Sequence, residues 1–452
     1  AAVLTMNSDG KDSHPLKRGI WMLERILHDP PPPPPPNVPE VDLTDPEIQQ
    51  SPHAHYAALR DHGVQYIPAN DAYLVLRHED ALTVLRDPYT YSSRLGSNRE
   101  QPPENVRDEI ARINAQGLPR PRTLLDNDPP DHARYRRLVS RAFTPRKMAQ
   151  LRPFVESLAD RLIDGWDDPS SVEFVEQFSV PLPVAVIAHA LNIPEDRLAD
   201  FRRWTDASTA TIGGSISAEQ HVELAHINLE LQEFFVDQFE QRRTHPQDDL
   251  LTTLLTSHVD GEDEGADDRP LDMPELVRIV QQLLVAGNET TTKLLNEMML
   301  LIAETDGEWE RLKADPARIP DVVEESLRIA SPNQGMSRIA TRDTTLAGVE
   351  IPEGARLIVM FASANRDEAL FGCPHELQPD RDHLHDHITF GHGTHYCIGA
   401  NLARLEAIVA LERLVARLDS YRLHDDNTFE YLPSIVLRGL KRLHIDATMV
   451  DG

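Results

Sequence analysis

Apolar residues recur every three or four positions along several segments of this chain, a spacing typical of amphipathic helices. It predicts helices at Val155–Ile163, Glu223–Arg242, Pro274–Glu304, Pro320–Ile329 and Ile398–Leu418. Strand-like runs are fewer and shorter: Ala72–Leu76, Thr344–Ile351 and Arg356–Val359. The pattern therefore predicts a mainly α fold with a minor β-sheet region.

A proline run at Pro30–Pro36 interrupts this pattern near the start. Proline lacks a backbone N–H, so the run is expected to be extended. Before it, four apolar residues lie on one face of a short predicted helix: Leu16, Ile20, Leu23 and Leu27. We expect an N-terminal extension at 1–39, either a loose tail or leader or a docking helix on a stiff spacer, and a single domain at 40–452. The acidic stretch Asp260–Asp268 is predicted to be a solvated loop.

Charge and cysteine content limit the possible partners and the cellular compartment of the protein. The chain has 452 residues, with Lys+Arg 45 against Asp+Glu 74 and a formal net charge of −29. This balance argues against nucleic acid or an anionic membrane as a partner. No run approaches the roughly 20 apolar residues of a membrane span, and Ala1–Gly10 does not resemble a signal peptide. Because 2 cysteines cannot form a disulfide framework, we expect a cytoplasmic protein.

The segment Phe390–Gly399 places Cys397 at the start of a predicted apolar helix. Amide groups and the dipole at a helix N-terminus are expected to lower the pKa of a thiol there. Glycines on either side allow a flat ligand to approach the backbone. Three interpretations are open: a buried structural cysteine, a zinc site, and a thiolate ligand for haem iron.

The first two interpretations fit the segment less well. A structural cysteine does not require the surrounding glycines. His383 and His387 have H-x-x-x-H spacing, but the glutamate of a zinc-protease helix and any C-x-x-C pair are missing.

Polar residues interrupt the long predicted helix at Ala286–Thr291. A buried carboxylate such as Glu289 is costly unless it is paired or functional. A threonine such as Thr290 can instead bond back to a carbonyl one turn earlier. A satisfied polar patch, a kink and a functional site are therefore all open here.

Together these segments resemble the cytochrome P450 superfamily over roughly 41–447, and the likeness points to the soluble, bacterial type. Phe390–Gly399 matches the signature F-G-x-G-x-H-x-C-x-G at every fixed position. The resemblance implies a P450 fold, with haem b between the long helix and the helix that follows the cysteine loop. Cys397 would be the proximal iron ligand.

The resemblance also implies roles for individual residues. Glu289 would take part in a proton relay and Thr290 in oxygen activation. The remaining haem contacts would be His132, Arg136, Ala286, Gly287, Arg338, Phe390, His395 and Gly399, with His132, Arg136, Arg338 and His395 on the propionates. Glu325, Arg328 and Arg381 would form a structural network that holds the cysteine loop. The stretch Asp382–His387 departs from the family pattern, so its packing is left open.

The implied activity is a haem-thiolate monooxygenase that oxidises a small to medium hydrophobic substrate with O2 and two electrons. No flavin, nicotinamide or iron–sulfur segment follows Leu418, so a separate ferredoxin or flavodoxin with its reductase is expected. Its docking surface would be a basic cluster, with a solvated helix face as the alternative: Arg134, Arg137, Arg141, Arg146 and Lys147. The substrate pocket would be lined by Ser92–Leu125, Ala207–Ser217, Leu283–Gly287, Asn333–Ser337 and Ile435–Val436. A haem-thiolate gas sensor or ligand-binding module without turnover is the alternative function.

Overall fold

A computed structural model describes residues 41–94, 102–210, 216–257 and 269–450. The extension at 1–39 and the whole acidic loop at 260–268 lie outside the described residues, as do 95–101 and 211–215 of the expected pocket walls. The boundary between the extension and the domain therefore stays a prediction.

Helices make up most of the described chain. They are α1 (Pro46–Gln50), α2 (Pro52–Arg60), α3 (His78–Arg86), α4 (Glu104–Asn114), α5 (Asp131–Ser140), α6 (Pro145–Gln150), α7 (Arg152–Asp164), α8 (Pro181–Ala190), α9 (Leu198–Thr209), α10 (Ala218–Thr244), α11 (Leu250–Thr256), α12 (Met273–Glu304), α13 (Glu308–Ala314), α14 (Ile319–Ala330), α15 (Phe361–Ala364) and α16 (Ala400–Arg417). A single π-helical turn, Val175–Ser179, precedes α8.

The strands form small sheets at the margin of the helices. They are β1 (Gln65–Ile67), β2 (Ala72–Val75), β3 (Tyr91–Ser92), β4 (Val172–Glu173), β5 (Met336–Ala340), β6 (Thr344–Leu346), β7 (Val349–Ile351), β8 (Arg356–Val359), β9 (Leu418–Leu423) and β10 (His444–Met449). One sheet has the order β1-β2-β8-β5-β3, a second has β4-β10-β9, and β6 pairs with β7. Only the β2–β8 pair of the larger sheet is parallel.

Helix α12 lies at the centre of the domain. Its N-terminus carries a capping box, in which the Asp272 side chain accepts from the Glu275 amide and the Glu275 side chain accepts from the Asp272 amide. The helix packs against α8, α9, α14 and α16, and Leu284, Leu295 and Met298 are fully buried. This packing fixes α12 relative to α16, which follows the cysteine loop.

The five predicted helices and two of the predicted strands are confirmed, with ends shifted by a few residues. The single strand predicted at Thr344–Ile351 is wrong, because the segment forms the β6–β7 hairpin. Ala347 and Gly348 both have positive φ, at 50° and 82°. Two successive residues of that kind form the tight turn that suits the twist of paired strands.

Candidate active site

The cysteine loop closes on itself before α16 begins. The Cys397 amide donates to the Phe390 carbonyl at 2.8 Å. Gly391 and Gly393 have positive φ, at 69° and 67°, and a Cβ on Gly393 would lie 2.6 Å from the Leu85 carbonyl oxygen of α3. Glycine is therefore required at 393 both by conformation and by space.

Cys397 is half-buried in this loop, and desolvation raises the pKa of its thiol. The amides of Gly399 and Ala400 and the charges of Arg136 and Arg404 act in the opposite direction. The expectation of a lowered pKa is therefore wrong for the protein chain alone, because loss of solvent outweighs the helix terminus. A bound metal ion would lower the pKa of the Cys397 thiol, since a coordinating thiol is deprotonated.

Glu325, Arg328 and Arg381 meet beside the loop. Arg328 donates to both carboxylate oxygens of Glu325 at 2.8 Å, and Arg381 Nε donates to Glu325 Oε1 at 2.7 Å. The Arg328 and Glu325 side chains are both 0% exposed. Arg328 also donates to the carbonyls of Asn365 and Pro374. The contacts agree with the predicted network, whose role in holding the loop stays a prediction.

The stretch that departs from the family pattern belongs to a second buried network, which the sequence analysis did not identify. His387 Nε2 lies 2.9 Å from Glu324 Oε1, and Arg404 of α16 donates to both oxygens of Glu324. The same guanidinium lies 4.5 Å from the centre of the Phe390 ring. These contacts hold the pKa of Glu324 well below its usual range, although burial alone would raise it. The sequence around His387 and Phe390 did not indicate a contact with Glu324, because the two segments are far apart along the chain.

On the other side of the site, α12 presents a patch without bulky side chains. Ala286 is exposed and Gly287 half-buried in the middle of an otherwise buried helix. A Cβ on Gly287 would meet nothing within 4 Å. Thr290 Oγ1 donates to the Ala286 carbonyl at 2.8 Å, and the helix continues through this bond. The back-bonded threonine and the open patch thus occur together.

The side chains of Glu289 and Asn288 each contact a residue that is not part of the patch. Glu289 Oε2 contacts Lys293 Nζ one turn along α12. Asn288 Nδ2 donates to Thr205 Oγ1 of α9 at 3.0 Å. Glu289 is therefore a paired acid, and its partner Lys293 was not among the predicted residues, although the i,i+4 spacing could have indicated it.

Four basic side chains approach one another between α5, β5 and the cysteine loop. The rings of His132 and His395 are 4.2 Å apart between centroids, and His395 Nε2 lies 3.0 Å from Ser93 Oγ. Burial lowers the pKa of His132 to about 4, that of His395 to about 3 and that of Arg338 to about 10. The positive charge of Arg136 also lowers the pKa of both histidines.

This basic cluster, with two charged arginines and two neutral histidines, fits a ligand with two carboxylates. His132 Nδ1 is buried and has no hydrogen-bond partner within the described ranges, and buried carboxylates require charge-assisted donors. The nearest acid, Asp128, already accepts from Ser92 Oγ and the Ser93 amide. The cluster, the Ala286–Gly287 patch and the Cys397 thiol therefore suit, respectively, the propionates, the flat face and the iron of a haem group.

The zinc interpretation finds no support in the parts of the chain that the structure describes. They contain no group of three or more His, Cys, Asp or Glu side chains placed to hold a metal ion.

The predicted basic docking cluster is partly wrong. Arg134 is buried, and its Nη1 lies 3.0 Å from Glu275 Oε1 at the start of α12, because this face of α5 packs inward. Arg141, Arg146 and Lys147 are exposed. Two of the predicted pocket segments come together, since the Gln334 amide donates to the Val436 carbonyl at 2.7 Å.

Comparisons with known proteins agree with this geometry. A family model described as cytochrome P450 matches residues 319–441. Cytochrome P450 107B1 from Saccharopolyspora erythraea is 35% identical over 415 residues, which cover 90% of this chain and 98% of that protein. The chain belongs to the cytochrome P450 superfamily. It is thus a P450 monooxygenase, an oxidoreductase, and members of this family carry haem b.

Solved P450 structures share the fold. CYP109Q5 from Chondromyces apiculatus has a TM-score of 0.79 at 33% identity, with coverage of 91% of this chain and 99% of that one. CYP109E1 from Bacillus megaterium, solved with testosterone, has a TM-score of 0.76 at 30% identity, with coverage of 88% and 99%.

Two further findings concern the N-terminal region and membrane association. A second family model, described as a protein of unknown function (DUF1588), matches residues 1–63. Within the described ranges, no helix has the length and hydropathy needed to cross a bilayer.

Proposed function

We propose that this P450 oxidises a small to medium hydrophobic substrate, with electrons supplied by a separate redox protein. Three features of the described chain support the proposal. They are the Cys397 loop, whose thiol interacts electrostatically with Arg136, the open Ala286–Gly287 patch, and the buried basic cluster that contains the same Arg136. The bound haem supplies the oxygen chemistry. The protein residues hold it, admit the substrate and deliver protons.

Each predicted residue has a task in this proposal. Cys397 ligates the iron, with Phe390 and Gly399 beside it. His132, Arg136, Arg338 and His395 hold the propionates. On the opposite side, Glu289 passes protons inward and Thr290 donates a hydrogen bond beside the patch once it exchanges the Ala286 carbonyl for a new acceptor.

A steroid-sized molecule is a reasonable first probe of the pocket. The wall segments Leu283–Gly287 and Ile435–Val436 are mainly apolar, and apolar walls with few polar groups are typical of small-molecule sites. CYP109E1 was solved with testosterone and with corticosterone. The panel should also contain fatty acids, terpenoids, macrolides and simple aromatic compounds.

The experiment is an optical titration of the haem-loaded protein with this panel, followed by turnover. We expect a low- to high-spin shift with at least one compound, and oxygenated product when a ferredoxin or flavodoxin and its reductase are added. Thr290→Ala should increase the peroxide released per electron pair, and Thr290→Ser, which retains the hydroxyl, should increase it less. Binding without electron-dependent product, over the whole panel, would favour the sensor or ligand-binding alternative.

The electron donor is expected to dock on the exposed part of the basic cluster, Arg141, Arg146 and Lys147. Complementary charge accelerates association and is weakened by salt. Arg146→Glu combined with Lys147→Glu should slow reduction by an acidic ferredoxin at low ionic strength. Arg112→Glu on α4 is the control charge reversal, because Arg112 is exposed and outside the cluster. Equal rates for both variants would argue against this surface, as would indifference to salt.

A further inference from the structure

Lys293 is an unusual residue for the centre of α12. Its side chain is 4% exposed, and its neighbours Leu294 and Leu295 are also buried. A buried ammonium group is costly unless a charge partner and fixed geometry compensate for the loss of water. Within the described residues, its side-chain partner is the Glu289 carboxylate, one helical turn toward the N-terminus.

The stem of Lys293 lies against the backbone of Gly439. A Cβ on Gly439 would be 2.2 Å from Lys293 Cγ and 3.0 Å from both Lys293 Cβ and Cδ. These atoms belong to the inner part of the side chain, which cannot move away as its far end could. Gly439 has no positive φ, so the space that Lys293 occupies, and not the backbone conformation, explains the glycine.

The segment that carries Gly439 is itself anchored. The Leu432 amide donates to the Gly439 carbonyl at 3.0 Å, the Arg438 amide donates to the Pro332 carbonyl at 2.9 Å, and Leu437 forms a bridge with Asn333. Lys293 therefore rests on a fixed surface, and this surface continues into the expected pocket wall at Ile435–Val436.

The other charges near Glu289 are held less firmly. Arg202 and Asp206 of α9 both interact electrostatically with Glu289. The Arg202 side chain is 43% exposed and already pairs with Glu176 at 2.6 Å. Lys293 differs from Arg202 because it is buried, contacts the Glu289 carboxylate directly and packs tightly against Gly439.

We infer that Lys293 is a positioning residue, which with Gly439 fixes the carboxylate of Glu289 at the edge of the Ala286–Thr290 patch. The inference rests on the proposed role of Glu289 in proton delivery. Lys293 transfers no proton itself. It restricts the rotamers of Glu289, so that the acid stays within reach of the water and oxygen that it serves.

The test uses the haem-loaded protein and three ways of disturbing the pair. Lys293→Met removes the charge but keeps a long stem. Lys293→Arg keeps the charge. Gly439→Ala keeps both charges and displaces the stem. The matched rescue is Lys293→Ala combined with Gly439→Ala, because the smaller side chain at 293 makes room for the new methyl group.

Two measurements separate positioning from simple stability. The first is the urea midpoint of Glu289→Gln, Lys293→Met and the double variant, in which the loss for the double variant should be smaller than the sum of the two single losses. The second is the peroxide released per electron pair, together with the solvent isotope effect on product formation. Lys293→Met should resemble Glu289→Gln, with product formation slowed about tenfold or more, as expected when a general acid is misplaced. Lys293→Arg should restore part of the rate.

The steric variants complete the test. Gly439→Ala should also raise peroxide release. Combined with Lys293→Ala it should lower the urea midpoint no further than Lys293→Ala alone does, because the overlap is gone, and coupling should stay impaired. If Glu289→Gln uncouples the enzyme while Lys293→Met and Gly439→Ala leave peroxide at the wild-type level, Lys293 is not a positioning residue and the role of Glu289 stands. If Glu289→Gln itself leaves coupling and the isotope effect unchanged, both the relay proposal and this inference are overturned.

Discussion

The two sides of the site are built in opposite ways. On the cysteine side, polar groups are tied to one another and excluded from water. Asn365 alone donates to Ser331 Oγ and Thr389 Oγ1 and accepts from the Ile388 amide. On the α12 side, Ala286 is exposed, Gly287 borders open space and Thr290 bonds only within its own helix among the contacts described.

This difference corresponds to what each side has to do. A cysteine that ligates iron would have to stay in one position, and we expect the buried Glu325 and Glu324 networks to fix its loop. In the proposed function, small molecules and protons move past the α12 side. Its surface is open at Gly287, and the Thr290 hydroxyl is held by a bond that can be exchanged. Preorganisation is thus concentrated where the geometry must not change.

The largest expected effect comes from Cys397, the thiol of the cysteine loop. Cys397→Ala should abolish the red-shifted Soret band of the reduced carbonyl complex, because no other thiolate is available at this position. Cys373→Ser is the control, since Cys373 is an exposed free cysteine and its loss should leave the band unchanged. An unaltered band in Cys397→Ala would refute the ligand assignment.

The next prediction tests whether the stability of the cysteine side depends on its buried charges. Glu325→Gln leaves Arg328 buried without its carboxylate, which should lower the free energy of unfolding by about 3–5 kcal/mol and reduce the haem retained on purification. Asp321→Asn is the matched control, because Asp321 is exposed on the same helix, α14. Equal urea midpoints for the two variants would show that the network does not stabilise the loop.

The cysteine side was also the more predictable one. Its glycines and its cysteine lie within ten consecutive positions, and the same short segment determines the loop geometry. Long apolar periodicity likewise predicted α12, which begins and ends within one residue of the predicted range. Local pattern was sufficient wherever neighbouring residues determine the structure.

What the sequence could not give are contacts between distant segments. Nothing near Glu324 indicates that His387 and Arg404 converge on it, and nothing near Gly439 indicates that Lys293 fills its space. The inward orientation of Arg134 has the same origin, since it depends on where the first turn of α12 lies. The pKa of Cys397 was predicted in the wrong direction because burial is a property of the whole fold.

A smaller effect examines the steric part of the cysteine loop. Gly393→Ala places a methyl group 2.6 Å from the Leu85 carbonyl oxygen and imposes a positive φ on an L-residue. We expect a loss of about 2–3 kcal/mol in the free energy of unfolding, from overlap with backbone and from conformational strain. Gly372→Ala is the control, since a Cβ there meets nothing within 4 Å. Similar thermal unfolding of both variants would mean that α3 shifts at little cost to make room for the new methyl group.

The smallest effect concerns the basic cluster of His132, Arg136, Arg338 and His395. His132 has a pKa lowered to about 4 by burial and by Arg136, whereas an unfolded histidine titrates near 6.5. Between these values the unfolded chain binds a proton that the folded chain does not, so the free energy of unfolding falls as the pH falls. Measured by urea unfolding of the haem-free protein at pH 7 and pH 4.5, the wild type should lose about 1–2 kcal/mol more than His132→Gln. His62→Gln, at an exposed position, should follow the wild type. If the unfolding free energy of His132→Gln has the same pH dependence as that of the wild type, His132 is not held neutral by its surroundings. The assignment of the haem propionates to this cluster then loses one of its supports.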